Sequence, residues 1–147
     1  MTVLLYQSDS YLKHFTAKVT AVNDELHGVV LDQTAFYPGG GGQAFDTGTL
    51  TFNGSTAEML RIKQVDGELL HLLEKSASLP EVGDEATGEL DWERRYQLMR
   101  THTAMHILCG VVFRDYGALV TGGNMEPLQG RMDFEFESLR QDLIAEI

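Results

Sequence analysis

Basic residues, cysteines and long apolar runs are all scarce in this sequence. Eleven Lys and Arg stand against 22 Asp and Glu, for a net charge of −11. Nucleic-acid binders usually present a basic face, because phosphate contacts supply most of their non-specific affinity. The balance therefore argues against a general RNA or DNA binder and leaves room only for a protein that grips an RNA end through a local cluster. The densest cluster is Arg94-Arg95 with Arg100, which reads equally well as the solvated face of a helix. The single cysteine, Cys109, excludes an intrachain disulfide and fits a reducing, cytoplasmic setting. No stretch approaches the roughly 20 apolar residues of a membrane helix. Met1–Gln7 has neither a basic leader nor a long apolar run, so neither a membrane span nor a secretory signal is expected.

What is present suits a globular chain. The 147 residues are 43% hydrophobic, enough to bury a core as one domain or two small ones. The first 90 residues read as short strands: Val3–Gln7, Phe15–Val22, Leu26–Leu31, Thr49–Phe52, Ala57–Val65, Leu69–Leu73 and Glu85–Leu90. Asn53-Gly54 and Asp66-Gly67 are two-residue hairpin signals. Strands at this spacing predict a small barrel or sandwich. The pattern changes at Asp91, a helix cap. Trp92, Tyr96, Met99, Thr103, His106, Gly110 and Phe113 recur at steps of three and four, predicting one long helix that ends near Gly117. Gly122-Gly123-Asn124 reads as a loop, Arg131–Phe136 as an alternating strand, and Ser138 as the cap of a further helix from Leu139.

Two segments carry possible chemistry. In Asp32-Gln33-Thr34-Ala35-Phe36-Tyr37-Pro38 followed by Gly39-Gly40-Gly41-Gly42-Gln43, four consecutive glycines have a high entropy cost on ordering. Flanking aromatics and a proline suggest a packed loop whose backbone, at Gly40, Gly41 and Gly42, approaches a ligand closely; the plainer reading is a flexible hairpin loop. No Gly-Lys-Ser/Thr follows, so this is not a phosphate-binding P-loop. Thr34 has a hydroxyl that can both donate and accept, so it can select a substrate hydroxyl, although it can also simply end a strand. The second segment, His102-Thr103-Ala104-Met105-His106, sets two imidazoles one turn apart on a helix, as two ligands of one zinc ion would be. With no Glu after the first His, a thermolysin-like protease is excluded. Cys109 would have to reach back along the helix axis to join them, and no convincing third ligand stands out.

Together these segments resemble the editing domain of alanyl-tRNA synthetase and its free-standing relatives. The match runs through Asp32–Pro38, Gly40-Gly41-Gly42-Gln43, Asp46-Thr47-Gly48, His102–Leu108 and, more weakly, Gly130–Phe134. The resemblance implies an α+β fold: a glycine-rich, barrel-like domain over residues 1–91, then the beginning of an α/β editing domain over 92–147. It implies hydrolysis of the ester that joins serine, and also glycine, to the acceptor end of tRNA(Ala). It carries His102 and His106 over as Zn2+ ligands, Thr34 as the residue that recognises the wrong amino acid and Gln43 as a residue of the editing pocket. Arg100 and the glycine backbone are then expected to hold the substrate. In the family two further ligands come from a downstream Cys-x-x-x-His, which is not among these 147 residues. Three rival readings stay open: a tRNA- or protein-binding module without catalysis, a zinc-dependent hydrolase of another small ester, and a purely structural zinc site.

Overall fold

The computed structural model describes residues 1–136, so the helix expected from Leu139 lies outside the described residues. The fold is α+β. Among the described residues, ten strands and one long helix run in the order β1 (Val3–Leu4), β2 (His14–Asn23), β3 (Gly28–Leu31), β4 (Gln33–Thr34), β5 (Gly48–Phe52), β6 (Ser55–Val65), β7 (Glu68–Leu73), β8 (Glu85–Leu90), α1 (Trp92–Tyr116), β9 (Leu119–Glu126) and β10 (Gln129–Glu135). The chain packs as two units: residues 1–40 with 45–95, and residues 41–44 with the chain from Tyr96 onward.

The first unit is a closed antiparallel barrel with strand order β2-β3-β7-β6-β5-β8. Closure follows from the alternation seen in the sequence. Phe15, Ala17 and Val19 on β2 and Ala86, Gly88 and Leu90 on β8 are buried, while the residues between them face out. Phe36, Leu31, Leu50, Met59 and Val29 fill the interior with essentially no exposure, and the closed ring leaves no strand edge to aggregate. Gly88 admits a neighbour here, since a Cβ on it would lie 2.2 Å from the Phe15 ring. Both hairpin signals form tight turns. Asn53-Gly54 has φ of 50° and 81°, and Asp66-Gly67 has 49° and 84°, the doubly left-handed pattern that matches strand twist. The expected strand Val3–Gln7 shortens to Val3–Leu4, which pairs in parallel with Gln33–Thr34, and Leu5–Gln7 turns into a 3₁₀ helix.

A buried ion pair ties this unit together. The Arg95 guanidinium grips the Asp46 carboxylate, with Nε 2.9 and 3.0 Å from its two oxygens. It also donates to the carbonyls of Ser10 (3.0 Å) and Ala35 (2.7 Å). Asp46 Oδ2 accepts the Tyr37 N–H at 2.6 Å, and the Asp46 N–H returns to the Tyr37 carbonyl. The residues flanking the glycine run are thus clamped on one guanidinium. Arg95 therefore does not contribute to an exposed basic cluster with Arg94 and Arg100; it is buried and neutralised.

In the second unit β9 and β10 form an antiparallel pair. Gly122-Gly123-Asn124, expected to be a loop, lies inside β9, with Gly123 opposite Met132 and Asn124 opposite Arg131. The turn falls later, at Leu128, whose φ is 58°. The physical reason is close backbone approach: a Cβ on Gly123 would meet the Arg131 carbonyl at 2.7 Å. The helix starts as expected, with the Arg94 N–H on Asp91 Oδ1 at 3.1 Å. Its buried stripe differs from the expected one. Leu98, Thr101 and Val112 are buried, whereas Tyr96 and Phe113 are exposed. Thr101 can lie on the buried stripe because its hydroxyl donates to the Gln97 carbonyl at 3.0 Å. Among the described residues no helix is long and apolar enough to cross a membrane.

Candidate active site

The second unit gathers three of the candidate residues at one point. His102 and His106, one turn apart on α1, stack with ring centroids 4.8 Å apart and planes inclined by 14°. Their Nε2 atoms face each other at 3.0 Å. On the far side of His102, the Gln43 side-chain oxygen lies 2.6 Å from Nδ1. A carbonyl oxygen can only accept, so His102 carries its proton on Nδ1 and turns the Nε2 lone pair toward His106. Burial, and then the neighbouring His106, push the His102 pKa below its usual value, so the neutral ring is favoured.

Gln43 reaches this position because the glycine run is pinned to β9. The Gly42 carbonyl accepts the Met125 N–H at 2.8 Å, and Gln43 bridges Met125 in parallel. Gly42 has φ of 82°, and a Cβ there would lie 2.7 Å from the Gly123 carbonyl oxygen. Glycine is needed at 42 so that the run can touch the β9 backbone. Beside them opens a cavity of about 420 Å³, lined by Gly41, Gly42, His102, His106, Cys109 and three methionines, Met105, Met125 and Met132. Such a wall is apolar and deformable, fit to enclose a ligand of irregular shape. Sequence reasoning passed over these methionines, because their distance along the chain hides their convergence.

Zinc can be tested against this geometry. Two nitrogens bound to one tetrahedral zinc at about 2.0–2.1 Å stand roughly 3.3 Å apart. The observed 3.0 Å lies within a small ring rotation of that value. The Gln43 contact has the form of the outer hydrogen bond that metal-bound imidazoles usually make. The pair therefore fits as part of a zinc site. Among the described residues no group of three His, Cys, Asp or Glu converges as a ligand set, and Cys109 instead lies 4.0 Å from the Met132 sulfur.

The other candidates sit elsewhere. Arg100 lines a different cavity of the second unit, about 310 Å³, with Thr101, Met105, Leu108 and Leu128. Gly40 belongs to the barrel unit, where its carbonyl accepts the Tyr37 hydroxyl at 3.0 Å. Thr34 is fully buried in the barrel unit. Its hydroxyl lies 2.9 Å from His71 Nε2 and accepts the Phe36 N–H at 3.2 Å. His71 Nδ1 lies 3.3 Å from the Val29 carbonyl. Nδ1 must therefore hold the proton, so Nε2 accepts the Thr34 hydroxyl hydrogen. Burial lowers the His71 pKa to about 4, which keeps the ring neutral. His71 was not a candidate from the sequence; its alternation on β7 points it inward, and only the tertiary fold supplies its partner.

Comparison with known proteins adds a family. Residues 7–94 match the model for class II (A) tRNA synthetases. An alanyl-tRNA editing protein, AlaX-M, of Saccharolobus solfataricus is 42% identical over 149 residues, covering 100% of this chain and 61% of that protein. The AlaX-M protein of Methanosarcina barkeri is 40% identical, covering 99% of the chain and 61% of the relative. An alanine–tRNA ligase of Sulfurisphaera tokodaii is 42% identical over 135 residues, which are 90% of this chain and 15% of the ligase. The chain thus spans about three-fifths of the length of the editing proteins it matches.

Proposed function

Because the chain belongs to the family of alanyl-tRNA synthetase editing domains and free-standing alanyl-tRNA editing proteins, we propose that it serves the hydrolytic removal of serine, and also of glycine, from mischarged tRNA(Ala). The observation that carries this reading is the row Gln43–His102–His106 at the rim of a methionine-lined cavity.

The tasks of Gln43, His102, His106 and the cavity wall follow from their geometry, and those of Thr34 and Arg100 from the family resemblance. Gln43 accepts the Nδ1 proton of His102 and so holds one tautomer and one ring orientation. His102 and His106 would hold Zn2+ through the facing Nε2 atoms, and the ion would supply Lewis-acid polarisation of the ester carbonyl or of the attacking water. Gly41 and Gly42 present backbone without side chains, so an aminoacyl ester can lie against the chain. Met105, Met125 and Met132 would lie against a bound ester and displace water from that side of it, which strengthens polar contacts there. Thr34 donates its hydrogen to His71 and has one acceptor lone pair left after Phe36. Such a group favours a ligand that brings a donor, as serine does and alanine does not. Arg100 is assigned to substrate binding and the reaction to the cytoplasm. No Ser-His-Asp set is required.

A second reading, a tRNA-binding module without catalysis, is favoured by one observation: among the described residues only two metal-binding imidazoles converge. Incubation of the full chain with Ser-tRNA(Ala), Gly-tRNA(Ala) and Ala-tRNA(Ala), with zinc content measured alongside, separates the two. The editing reading expects zinc uptake and selective release of serine, both abolished in His106→Ala. Tight tRNA binding with neither zinc nor release assigns the chain to the second reading.

A further inference from the structure

Phe45, which follows the glycine run, has a half-buried ring. Arg61 on β6 and Arg94 in the first turn of α1 belong to the same unit. The two guanidinium groups lie 5.6 and 5.8 Å from the Phe45 ring centroid, inside the roughly 6 Å at which a cation is attracted to an aromatic face. Arg94 Nε also donates to the Phe45 carbonyl at 3.2 Å, so that cation is oriented by backbone as well as ring.

The charge accounting makes this arrangement unusual. Acidic residues outnumber basic ones two to one, and three other arginines have carboxylate partners: Arg95 with Asp46, Arg114 with Asp115, Arg131 with Asp133. Among the described residues, Arg61 and Arg94 form no ion pair. Two unneutralised cations gathered on one ring repel each other, and an anion bound between them would relieve that repulsion. A guanidinium resting on a ring keeps N–H donors for phosphate oxygens, which it meets as a planar fork.

We infer that Arg61 and Arg94, gathered on Phe45, grip the sugar–phosphate backbone of the tRNA strand; the inference rests on the reading of tRNA as substrate. It gives an acidic protein a local basic contact, built from a strand and a helix rather than from neighbours in sequence. Arg61 replaces the withdrawn Arg95 in that contact.

The test is binding of unacylated tRNA(Ala) transcript to the full chain, followed by fluorescence anisotropy across a salt series. Each phosphate contact removed lowers the slope of log Kd against log salt by about one. The double variant Arg61→Gln, Arg94→Gln is expected to weaken binding about ten-fold or more at low salt and to flatten the slope by about one to two. Arg61→Gln alone, at an exposed side chain, keeps the fold and is expected to take about half of that slope change. Arg114→Gln, paired with Asp115 at the surface, is expected to bind as the wild type does. A double variant with the Kd and slope of the wild type overturns the inference and leaves tRNA as substrate intact. A wild-type chain that does not bind tRNA at all removes both.

Discussion

The side-chain oxygen of Gln43 lies 2.6 Å from Nδ1 of His102, across 59 residues of chain. That one contact decides which nitrogen of His102 is free, and the free nitrogen faces His106. Gln43 is therefore a positioning residue. On the proposed editing reading, Gln43→Leu is expected to lower zinc affinity and Ser-tRNA(Ala) deacylation together by about 10- to 100-fold, the usual effect of deleting an outer partner of a metal-bound imidazole. Gln43→Glu keeps an acceptor and should retain most of both. Chelator-competition titration and single-turnover deacylation measure the two; a Leu variant with wild-type zinc affinity removes the role.

His71 couples the barrel to pH. Its folded pKa is depressed to about 4, against about 6.5 in an unfolded chain. The unfolded state binds the proton first, so this contribution to stability is present above pH 6.5 and is lost as the pH falls toward 4. The loss attributable to His71 is about 3 kcal/mol. Denaturant unfolding at pH 7 and pH 4.5, in wild type and His71→Leu, isolates it from the carboxylates. The variant should lose less stability between the two pH values, and an equal loss in both proteins would contradict the assignment.

Thr34→Val keeps the shape of the side chain but leaves His71 Nε2 buried without a donor, which should cost about 1–3 kcal/mol of barrel stability. If Thr34 also selects the substrate, the variant loses the preference for Ser-tRNA(Ala) over Ala-tRNA(Ala) under conditions where it is still folded. Thermal unfolding and the ratio of the two deacylation rates separate the structural from the selective effect.

The Arg95–Asp46 pair is buried on both sides. Asp46→Ala leaves a guanidinium without its partner and is expected to destabilise the protein by about 3–5 kcal/mol. Replacing both residues, Arg95→Met with Asp46→Leu, should recover part of that loss. A single variant as stable as the wild type would show that the clamp on the glycine-run flanks contributes nothing.

Two adjacent glycines should respond differently to one methyl group. Gly41 has open space where a Cβ would be added, so Gly41→Ala is opposed mainly by its φ of 57° and should cost about 1–2 kcal/mol. At Gly42 the same methyl would lie 2.7 Å from the Gly123 carbonyl oxygen in addition to its φ of 82°. Gly42→Ala should therefore be the more destabilised of the two by thermal unfolding and should release the Gln43–His102 contact, seen as a change in the His102 ring resonances.

Much of the barrel was legible before any tertiary information. Strand alternation depends only on the two-residue period of extended chain, so β2 and β8 could be read directly. Asn53-Gly54 and Asp66-Gly67 are readable because few residues tolerate two successive positive φ values. Gly122-Gly123-Asn124 misled, because glycines that permit a turn are the same glycines that permit two backbones to touch, and the local sequence does not distinguish the two uses.

The one-turn spacing of His102 and His106 followed from the helix repeat, as did the side of the barrel strands that would be buried. Those are consequences of backbone geometry, which every residue carries with it. The meeting of Gln43 with His102, of Thr34 with His71, of Arg95 with Asp46 and of Arg61 and Arg94 on Phe45 came only with the folded chain. A hydrogen bond or a cation–π contact acts over a few ångströms of space, whatever the distance along the chain. Which residues fill those ångströms is set by the folding of each unit.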